Sequence, residues 1–174
     1  MTISVAELNT MSEPQAVKAL TECCGSARWV AGMIARRPFA SRKELDAAAD
    51  EIWSSLDKKD WLEAFAAHPR IGERSAPLRR TDRAGNWAAR EQRSVERATR
   101  DVRNALEAVN FEYEERFGYI YIVCATGKTA EEMLALARER LLNDPADELK
   151  IAGEEQRKIT RLRLDKLLDN GESS

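Results

Sequence analysis

Apolar residues in this chain recur at spacings of three and four, in blocks that open at helix-capping residues and close at glycine or proline. Such spacing places the apolar side chains on one face of a helix. The clearest block starts at Ser41 and Glu44, which form the pattern of a capping box. Its apolar positions are Leu45, Ala49, Ile52, Trp53 and Leu56. We therefore expect helices to dominate the fold.

The same signals predict three more helices in the first half of the chain. Ser12 and Gln15 resemble a capping box ahead of an apolar stripe that starts with Val17 and Leu20 and runs to about residue 24. A second helix presents Trp29, Val30, Met33 and Ile34 before Pro38. A third runs from about 58 to 67 and carries Trp61, Leu62 and Phe65.

The second half of the chain predicts a long helix that starts after Asn86 and closes near "RFG" at 116–118. Its apolar register is Val95, Ala98, Val102, Ala105 or Leu106, Val109 and Tyr113. Thr129 and Glu132 are expected to cap a further helix that carries Met133, Leu134, Ala137 and Leu141.

Asp144 and Pro145 open the last predicted helix, which reaches about Asp169. The run "YIYIVCA" at 119–125 is rich in β-branched and aromatic residues and too short for a helix, so it predicts a buried extended segment. The chain shows no internal repeat or linker composition. These patterns predict an all-α fold, with residues 1–174 forming a single-domain bundle of about seven to eight helices.

Charge and composition exclude several classes of function. The net charge of −2 argues against a nucleic-acid-binding domain, which is normally strongly basic. No apolar run approaches the roughly 20 residues that span a bilayer, and "MTISVAELNT" lacks the pattern of a secretory signal. We expect a cytoplasmic protein with no membrane partner.

The three cysteines, Cys23, Cys24 and Cys124, fit neither a disulfide framework nor a zinc site, because their number is odd and two are adjacent. We expect reduced thiols that are buried as small apolar residues. A redox centre formed by the adjacent pair is the alternative.

Two charged residues extend apolar helix faces. Glu91 precedes Val95 by four residues, and Arg163 follows Ile159 by four, with Gln156 near it on the same face. A buried charge needs a partner, since an unpaired one costs several kcal/mol. Taken alone, these two residues are explained better by a structural ion pair between Glu91 and Arg163 than by a functional site.

His68 is the only histidine of the chain, and Pro69 follows it where a helix must stop. A histidine at this place can simply bond the last carbonyls of the helix. Together, the three residues supply a proton-transfer group (His68), a carboxylate (Glu91) and a cation that can clamp an anion (Arg163). This combination suits a small anionic substrate.

At these residues the sequence resembles a known enzyme family, 2-oxo-4-hydroxy-4-carboxy-5-ureidoimidazoline (OHCU) decarboxylase. The resemblance covers nearly the whole chain, and the motifs agree in order and separation. They are "RPF" at 37–39, "AHPRIGER" at 67–74, "REQ" at 90–92, "RFGYIYIVCATGKT" at 116–129, "RERLLND" at 138–144 and "KITRLRLDKL" at 158–167.

The resemblance implies an all-helical carboxy-lyase, usually a homodimer, that acts in urate degradation. It would convert the small-molecule substrate OHCU into (S)-allantoin and carbon dioxide. No cofactor and no metal are implied, because the ring imine of the substrate can take up the electrons that decarboxylation releases.

Carried over to this sequence, the resemblance implies His68 and Glu91 as catalytic residues. His68 would transfer a proton, Pro69 would direct its ring into the pocket, and Glu91 would hold the imidazole or the substrate. Gln92 would add an amide contact, and Arg163 would pair with substrate oxygens.

The backbone of Tyr121, Ile122, Val123, Cys124 and Ala125 would hydrogen-bond the substrate amides, in keeping with an extended stretch that has unpaired N–H and C=O groups. The chain departs from the family pattern at one substrate-binding position, where Ala88 stands in place of a common serine. A lost hydroxyl contact costs about 0.5 to 1.5 kcal/mol.

Other interpretations remain open. The arginine-rich stretch 70–83 suits either a solvated loop or an element that attracts or covers an anionic substrate. Ala88 suits a non-catalytic helical interaction module that keeps the same fold. A nucleic-acid binder that works through the arginine-rich stretch is a third hypothesis, which predicts salt-dependent binding.

Overall fold

The computed structural model describes residues 2–71, 87, 90 and 98–168. Within these residues the chain forms eight helices and no named strand, which confirms the predicted all-α fold. The helices are α1 (Val5–Thr10), α2 (Glu13–Cys23), α3 (Ala27–Ala35), α4 (Arg42–Ser55), α5 (Lys58–Ala66), α6 (Arg100–Phe117), α7 (Ala130–Arg140) and α8 (Pro145–Leu167).

The chain divides into two compact units. The first is built from the chain up to Ala64 and from Arg157 onward, and the second from Phe65 to Gln156. A single domain over 1–174 stays a prediction.

The core of the first unit is made by large apolar side chains from its helices. Trp29 is fully buried, and its indole Nε1 donates a hydrogen bond to the Ala49 carbonyl oxygen at 3.1 Å, so α3 and α4 are joined by a buried polar contact. Fully buried neighbours in this unit are Leu8, Leu20, Met33, Leu45, Leu164 and Leu167. The helix predicted from Ser41 is confirmed over Arg42–Ser55.

The apolar stripe of α2 begins one residue earlier than the sequence pattern predicts. Ala16 and Leu20 are fully buried, whereas Val17 is 37% exposed. Ala16, Leu20 and Cys23 follow the i, i+4, i+7 spacing of one helix face, and Val17 lies off that face. The prediction of Val17 as a core residue is therefore wrong, although the capping contact from Gln15 to the Ser12 N–H is present at 3.2 Å.

In the second unit, the prediction of one long helix from Asn86 to 116–118 is wrong, because the helix is not continuous through Thr99. Thr99 has an extended backbone conformation and its hydroxyl accepts a hydrogen bond from the Val102 N–H, so it caps α6. A helix therefore starts at Arg100 instead of running through Ala98. Its predicted end is confirmed, because Gly118 adopts a left-handed φ of 80° directly after Phe117.

The segment 119–125 is buried at six of its seven residues and is neither helix nor strand. Tyr119 and Tyr121 lie against the Tyr113 ring of α6, with centroid distances of 5.9 and 5.4 Å. The Tyr121 hydroxyl donates to the Met133 carbonyl oxygen at 3.0 Å. The segment is thus packed between α6 and α7, which confirms its predicted burial.

The two predicted caps beyond this segment are present. The Thr129 hydroxyl accepts from the Glu132 N–H at 3.1 Å, and the Glu132 carboxylate accepts from the Thr129 N–H at 2.8 Å. Asp144 Oδ1 accepts from the Ala146 N–H at 2.9 Å at the start of α8. Both helices therefore begin where the capping residues predict.

Candidate active site

His68 lies just beyond the end of α5. Its backbone N–H donates to the Phe65 carbonyl oxygen at 3.1 Å. Its ring is half-buried, and Nε2 lies 2.6 Å from Oε1 of Gln156 in α8. An amide oxygen can only accept a hydrogen bond, so the imidazole Nε2 is the donor. The single imidazole of the chain is thus held by a fully buried amide.

Pro69 is half-buried and follows the imidazole directly. The two residues after it are attached to α6. The Arg70 guanidinium donates twice to the Glu114 carboxylate, at 2.9 and 2.8 Å, and the Asn110 amide donates to the Ile71 carbonyl oxygen. The hydrogen bond from Arg70 lowers the pKa of the Glu114 carboxyl group. Chain segments on both sides of the imidazole are therefore anchored.

Charged side chains already bind three backbone groups of the segment 121–125. Arg140 Nη1 donates to the Ile122 carbonyl oxygen at 2.7 Å. The Cys124 N–H donates to Glu155 Oε2 at 2.7 Å, and Lys128 Nζ donates to the Cys124 carbonyl oxygen at 2.9 Å. The expectation that this stretch keeps its backbone groups unpaired is therefore wrong for these three groups.

Arg140 belongs to a buried network that the sequence pattern did not single out. Its Nε donates to Glu148 Oε1 at 2.7 Å, and the Tyr113 hydroxyl donates to the same oxygen. Asn143 Nδ2 donates to Glu148 Oε2 at 2.9 Å. Glu148 is fully buried, so its charge depends on these donors.

Burial and this network set the direction of two pKa shifts. Burial raises the pKa of the Tyr113 hydroxyl, and the contact with Glu148 adds to the shift. Burial alone lowers the pKa of Arg140, but the hydrogen bond to Glu148 and the charge interactions with Tyr113, Glu148 and Tyr121 together outweigh it, and the net pKa is raised. Tyr113 therefore stays protonated and Arg140 stays charged.

A signal for this pair is present in the sequence. Arg140 lies seven residues after Met133 and three after Ala137, so it extends the buried face of α7. Glu148 lies four residues before the buried Ala152 on α8. The criterion that singled out Arg163, a charged residue in register with the apolar face of a helix, also identifies Arg140 and Glu148.

Two consecutive residues of α8 link the imidazole to the segment. Glu155 binds the Cys124 N–H, and Gln156 binds the His68 ring. Because adjacent Cα atoms are about 3.8 Å apart, both attachments lie within one turn of the same helix. The imidazole and the backbone of the segment are therefore attached to neighbouring residues of α8. An imidazole can transfer a proton, and fixed backbone groups can orient a small polar molecule.

Arg163 lies in the first unit and is 6% exposed, in agreement with its predicted place on the apolar face of the last helix. Its Nη1 donates to the Glu22 carbonyl oxygen at 3.5 Å.

Cys24 is in the same unit, and burial raises the pKa of its thiol to about 11. The three cysteines are free and buried, as predicted.

Several predicted site residues lie outside the described part of the chain. They are Ala88, Glu91 and Gln92, together with residues 72–83 of the arginine-rich stretch. Among the residues that the structure describes, no group of three or more His, Cys, Asp or Glu side chains is placed to hold a metal ion. No described helix has the length and apolar composition to cross a membrane.

Comparison with known proteins agrees with the sequence resemblance. The family model described as OHCU decarboxylase matches residues 9–165. The Arabidopsis thaliana uric acid degradation bifunctional protein TTL is 36% identical over 85% of this chain, which spans 46% of that protein's length. The Amia calva 2-oxo-4-hydroxy-4-carboxy-5-ureidoimidazoline decarboxylase is 29% identical, with 95% of each chain covered.

A solved structure shows the same fold. It is a crystal structure of OHCU decarboxylase in the presence of (S)-allantoin, with a TM-score of 0.73 and 36% sequence identity. The match covers 86% of this chain and 96% of that one. Agreement in sequence and in fold therefore extends over most of the chain.

Proposed function

This chain belongs to the OHCU decarboxylase family, and we propose that it decarboxylates 2-oxo-4-hydroxy-4-carboxy-5-ureidoimidazoline to (S)-allantoin and carbon dioxide. The observation that carries this proposal is the attachment of the single imidazole to the buried Gln156, the residue that follows Glu155, which binds the backbone segment 121–125. The substrate is a small anion, and the reaction is that of a carboxy-lyase in urate degradation.

The reaction needs no external electron sink. When the bond between the ring carbon and the carboxylate breaks, carbon dioxide leaves and the electron pair moves into the ring imine of the substrate. Protonation on one face then gives a single allantoin enantiomer. The protein has to supply orientation, one proton transfer and a chiral environment.

His68 is the proposed proton-transfer residue, and Pro69 sets the direction of its ring. Glu91 is the proposed partner of the imidazole or of the polar edge of the substrate, with an added amide contact from Gln92. Ala88 takes the position of the family serine and contacts the substrate without a hydroxyl.

Backbone groups between Tyr121 and Ala125 are proposed to bind the ureido and ring amides. Three anchoring contacts, from Arg140, Glu155 and Lys128, support this because they fix the backbone in place before a ligand arrives. Arg163 is the proposed partner of substrate oxygens, and its buried guanidinium suits a fixed anion-binding group.

The protein is further proposed to be a homodimer in the cytoplasm. Among the described residues, Phe111 and Leu142 are the most exposed large hydrophobic side chains, at 65% and 85%, and they are our candidates for the dimer contact. Free buried cysteines are in keeping with a reducing compartment. Light scattering during size-exclusion chromatography tests the dimer, and a monomer at micromolar concentration would contradict it.

The activity is tested with substrate formed in place from urate by urate oxidase and hydroxyisourate hydrolase. Circular dichroism then follows the appearance of dextrorotatory (S)-allantoin with the native protein and with His68→Ala. We expect the native protein to accelerate this signal and the variant to lose the acceleration. Unchanged, racemic decay with the native protein would favour the non-catalytic helical module.

A further inference from the structure

We propose that Gln156 is a positioning residue that keeps the proton of neutral His68 on Nε2 and leaves the lone pair on Nδ1. The hydrogen bond between the two side chains carries this inference. Its consequence for catalysis rests on the proposed decarboxylase function, whereas the proton position itself does not.

The contact has a defined direction. Gln156 Oε1 lies 2.6 Å from His68 Nε2, a distance that suits a short N–H···O hydrogen bond. The amide oxygen has no proton to donate, so the shared proton belongs to the imidazole. A neutral imidazole carries one ring proton, and with that proton on Nε2 the atom Nδ1 can only accept.

Burial makes this arrangement stable. Gln156 is fully buried on α8, one turn after the buried Ala152 and Gly153. A buried amide oxygen that loses its hydrogen-bond partner is not compensated by water, so the bond to His68 is favoured in the folded protein. The other end of His68 is restrained by its N–H bond to Phe65 and by Pro69, which limits the backbone of the residue before it.

An amide suits this role better than a carboxylate. A carboxylate at position 156 would also accept the Nε2 proton, but its negative charge would favour the imidazolium form. The neutral amide selects the tautomer and adds no charge. In the proposed reaction His68 therefore takes up a proton at Nδ1, while Nε2–H remains a fixed donor.

Nitrogen-15 nuclear magnetic resonance tests the proton position directly. His68 is the only histidine of the chain, so labelling histidine gives one pair of ring nitrogen signals without assignment work. At a pH where the ring is neutral, we expect a protonated-nitrogen shift at Nε2, a lone-pair shift at Nδ1, and a ring N–H proton protected from exchange with water. A protected proton on Nδ1, or rapid averaging between the two tautomers, would overturn the inference.

Three variants separate the hydrogen bond from the bulk of the side chain. Gln156→Met keeps the length but removes the acceptor, so the protected Nε2–H signal should disappear and the Nδ1–H tautomer should gain population. Gln156→Glu keeps an acceptor oxygen and should keep the proton on Nε2. Gln15→Met makes the same change at an exposed cap residue and should leave the ring signals unchanged. An unaltered ring spectrum in a folded Gln156→Met protein would also overturn the inference.

Kinetics give a second readout. If Gln156 orients the catalytic ring, Gln156→Met should lower kcat by about tenfold or more with a small change in KM, and Gln156→Glu should restore part of the loss. Equal activity of the Met variant and the native protein would contradict the positioning role. A native protein with the expected ring spectrum but no activity would refute the proposed function and leave the proton assignment standing.

Discussion

Arg140 reaches the carbonyl oxygen of Ile122 at 2.7 Å while its other nitrogens bind the fully buried Glu148. A single guanidinium thus joins a buried ion pair to the backbone of the segment 121–125. Its planar fork carries donors on separate nitrogens, so different atoms of one side chain bind the Ile122 carbonyl and the Glu148 carboxylate. The conformation of the segment therefore depends on this ion pair.

We expect Arg140→Met to lower the free energy of unfolding by about 3 to 5 kcal/mol, because the buried Glu148 charge loses its partner. The double change of Arg140→Met and Glu148→Leu should cost less than the sum of the single changes. Urea unfolding followed by circular dichroism measures the free energy of unfolding of the two single variants and of the double variant. As a matched control, Arg70→Met breaks an ion pair with Glu114 that is 47% exposed on the arginine side, and should cost about 1 kcal/mol or less. Equal costs at the buried and the exposed pair would refute the prediction.

Glu155 should affect substrate binding through the Cys124 N–H. Glu155→Leu removes the acceptor of that hydrogen bond, and we expect KM to rise by about tenfold, the equivalent of one hydrogen bond to a charged group. Glu155→Gln retains an acceptor oxygen, so its KM should lie between that of the native protein and that of Glu155→Leu. Initial rates of (S)-allantoin formation give KM, and Glu154→Gln, at the exposed neighbouring position, is the control. The prediction fails if the leucine and control variants share the same KM.

Thr99 should behave as a helix cap and not as a helix-interior residue. Thr99→Ala removes the hydroxyl that accepts from Val102 and should destabilise the protein by about 1 kcal/mol. Thr99→Ser keeps the hydroxyl and should be close to the native protein in thermal and urea unfolding. A continuous helix through this position predicts the opposite sign, because alanine is the better helix former.

Cys24 should make stability fall in the alkaline range. Burial raises the pKa of its thiol from 9.0 to about 11 in the folded protein. A pKa that is higher in the folded state means that folding favours the neutral thiol. The stabilisation that the neutral thiol gives the folded protein is therefore complete below pH 9, and it is lost as pH rises toward 11. The total is about 2 to 3 kcal/mol by linkage.

Urea unfolding between pH 8 and pH 11 measures this loss, with Cys24→Ala as the comparison. The two proteins share their other titrating groups, so the difference between them isolates the thiol. Their stability curves should converge with rising pH. Parallel curves would show that the thiol does not titrate as described.

The caps and periodicity of the chain are local, and they predicted most helix ends correctly. Thr129, Glu132 and Asp144 form their hydrogen bonds within four residues of themselves, so the nearby sequence contains all the partners. The errors arose where two local choices compete. Thr99 is compatible with a helix interior and with a cap, and Val17 and Ala16 are both apolar enough to start a stripe.

The segment 119–125 shows a different limit. Its β-branched and aromatic composition predicted burial, but not the charged side chains that bind its backbone. Arg140 and Lys128 come from the chain that follows the segment, and Glu155 lies 31 residues beyond Cys124. Lys128 lies only four residues after Cys124, but Arg140 and Glu155 lie 18 and 31 residues from the groups they bind and are invisible to a window of neighbouring residues.

The sequence by itself determined the helical class, most helix boundaries, the burial of Arg163 and the family, because periodicity, caps and ordered motifs are properties of the chain. The tertiary structure decided which polar groups meet. His68 and Gln156 are 88 positions apart, and nothing in the spacing of either residue points to the other. Their hydrogen bond exists because the end of α5 and the middle of α8 pack together in one unit, and packing of that kind depends on the summed burial of many apolar side chains.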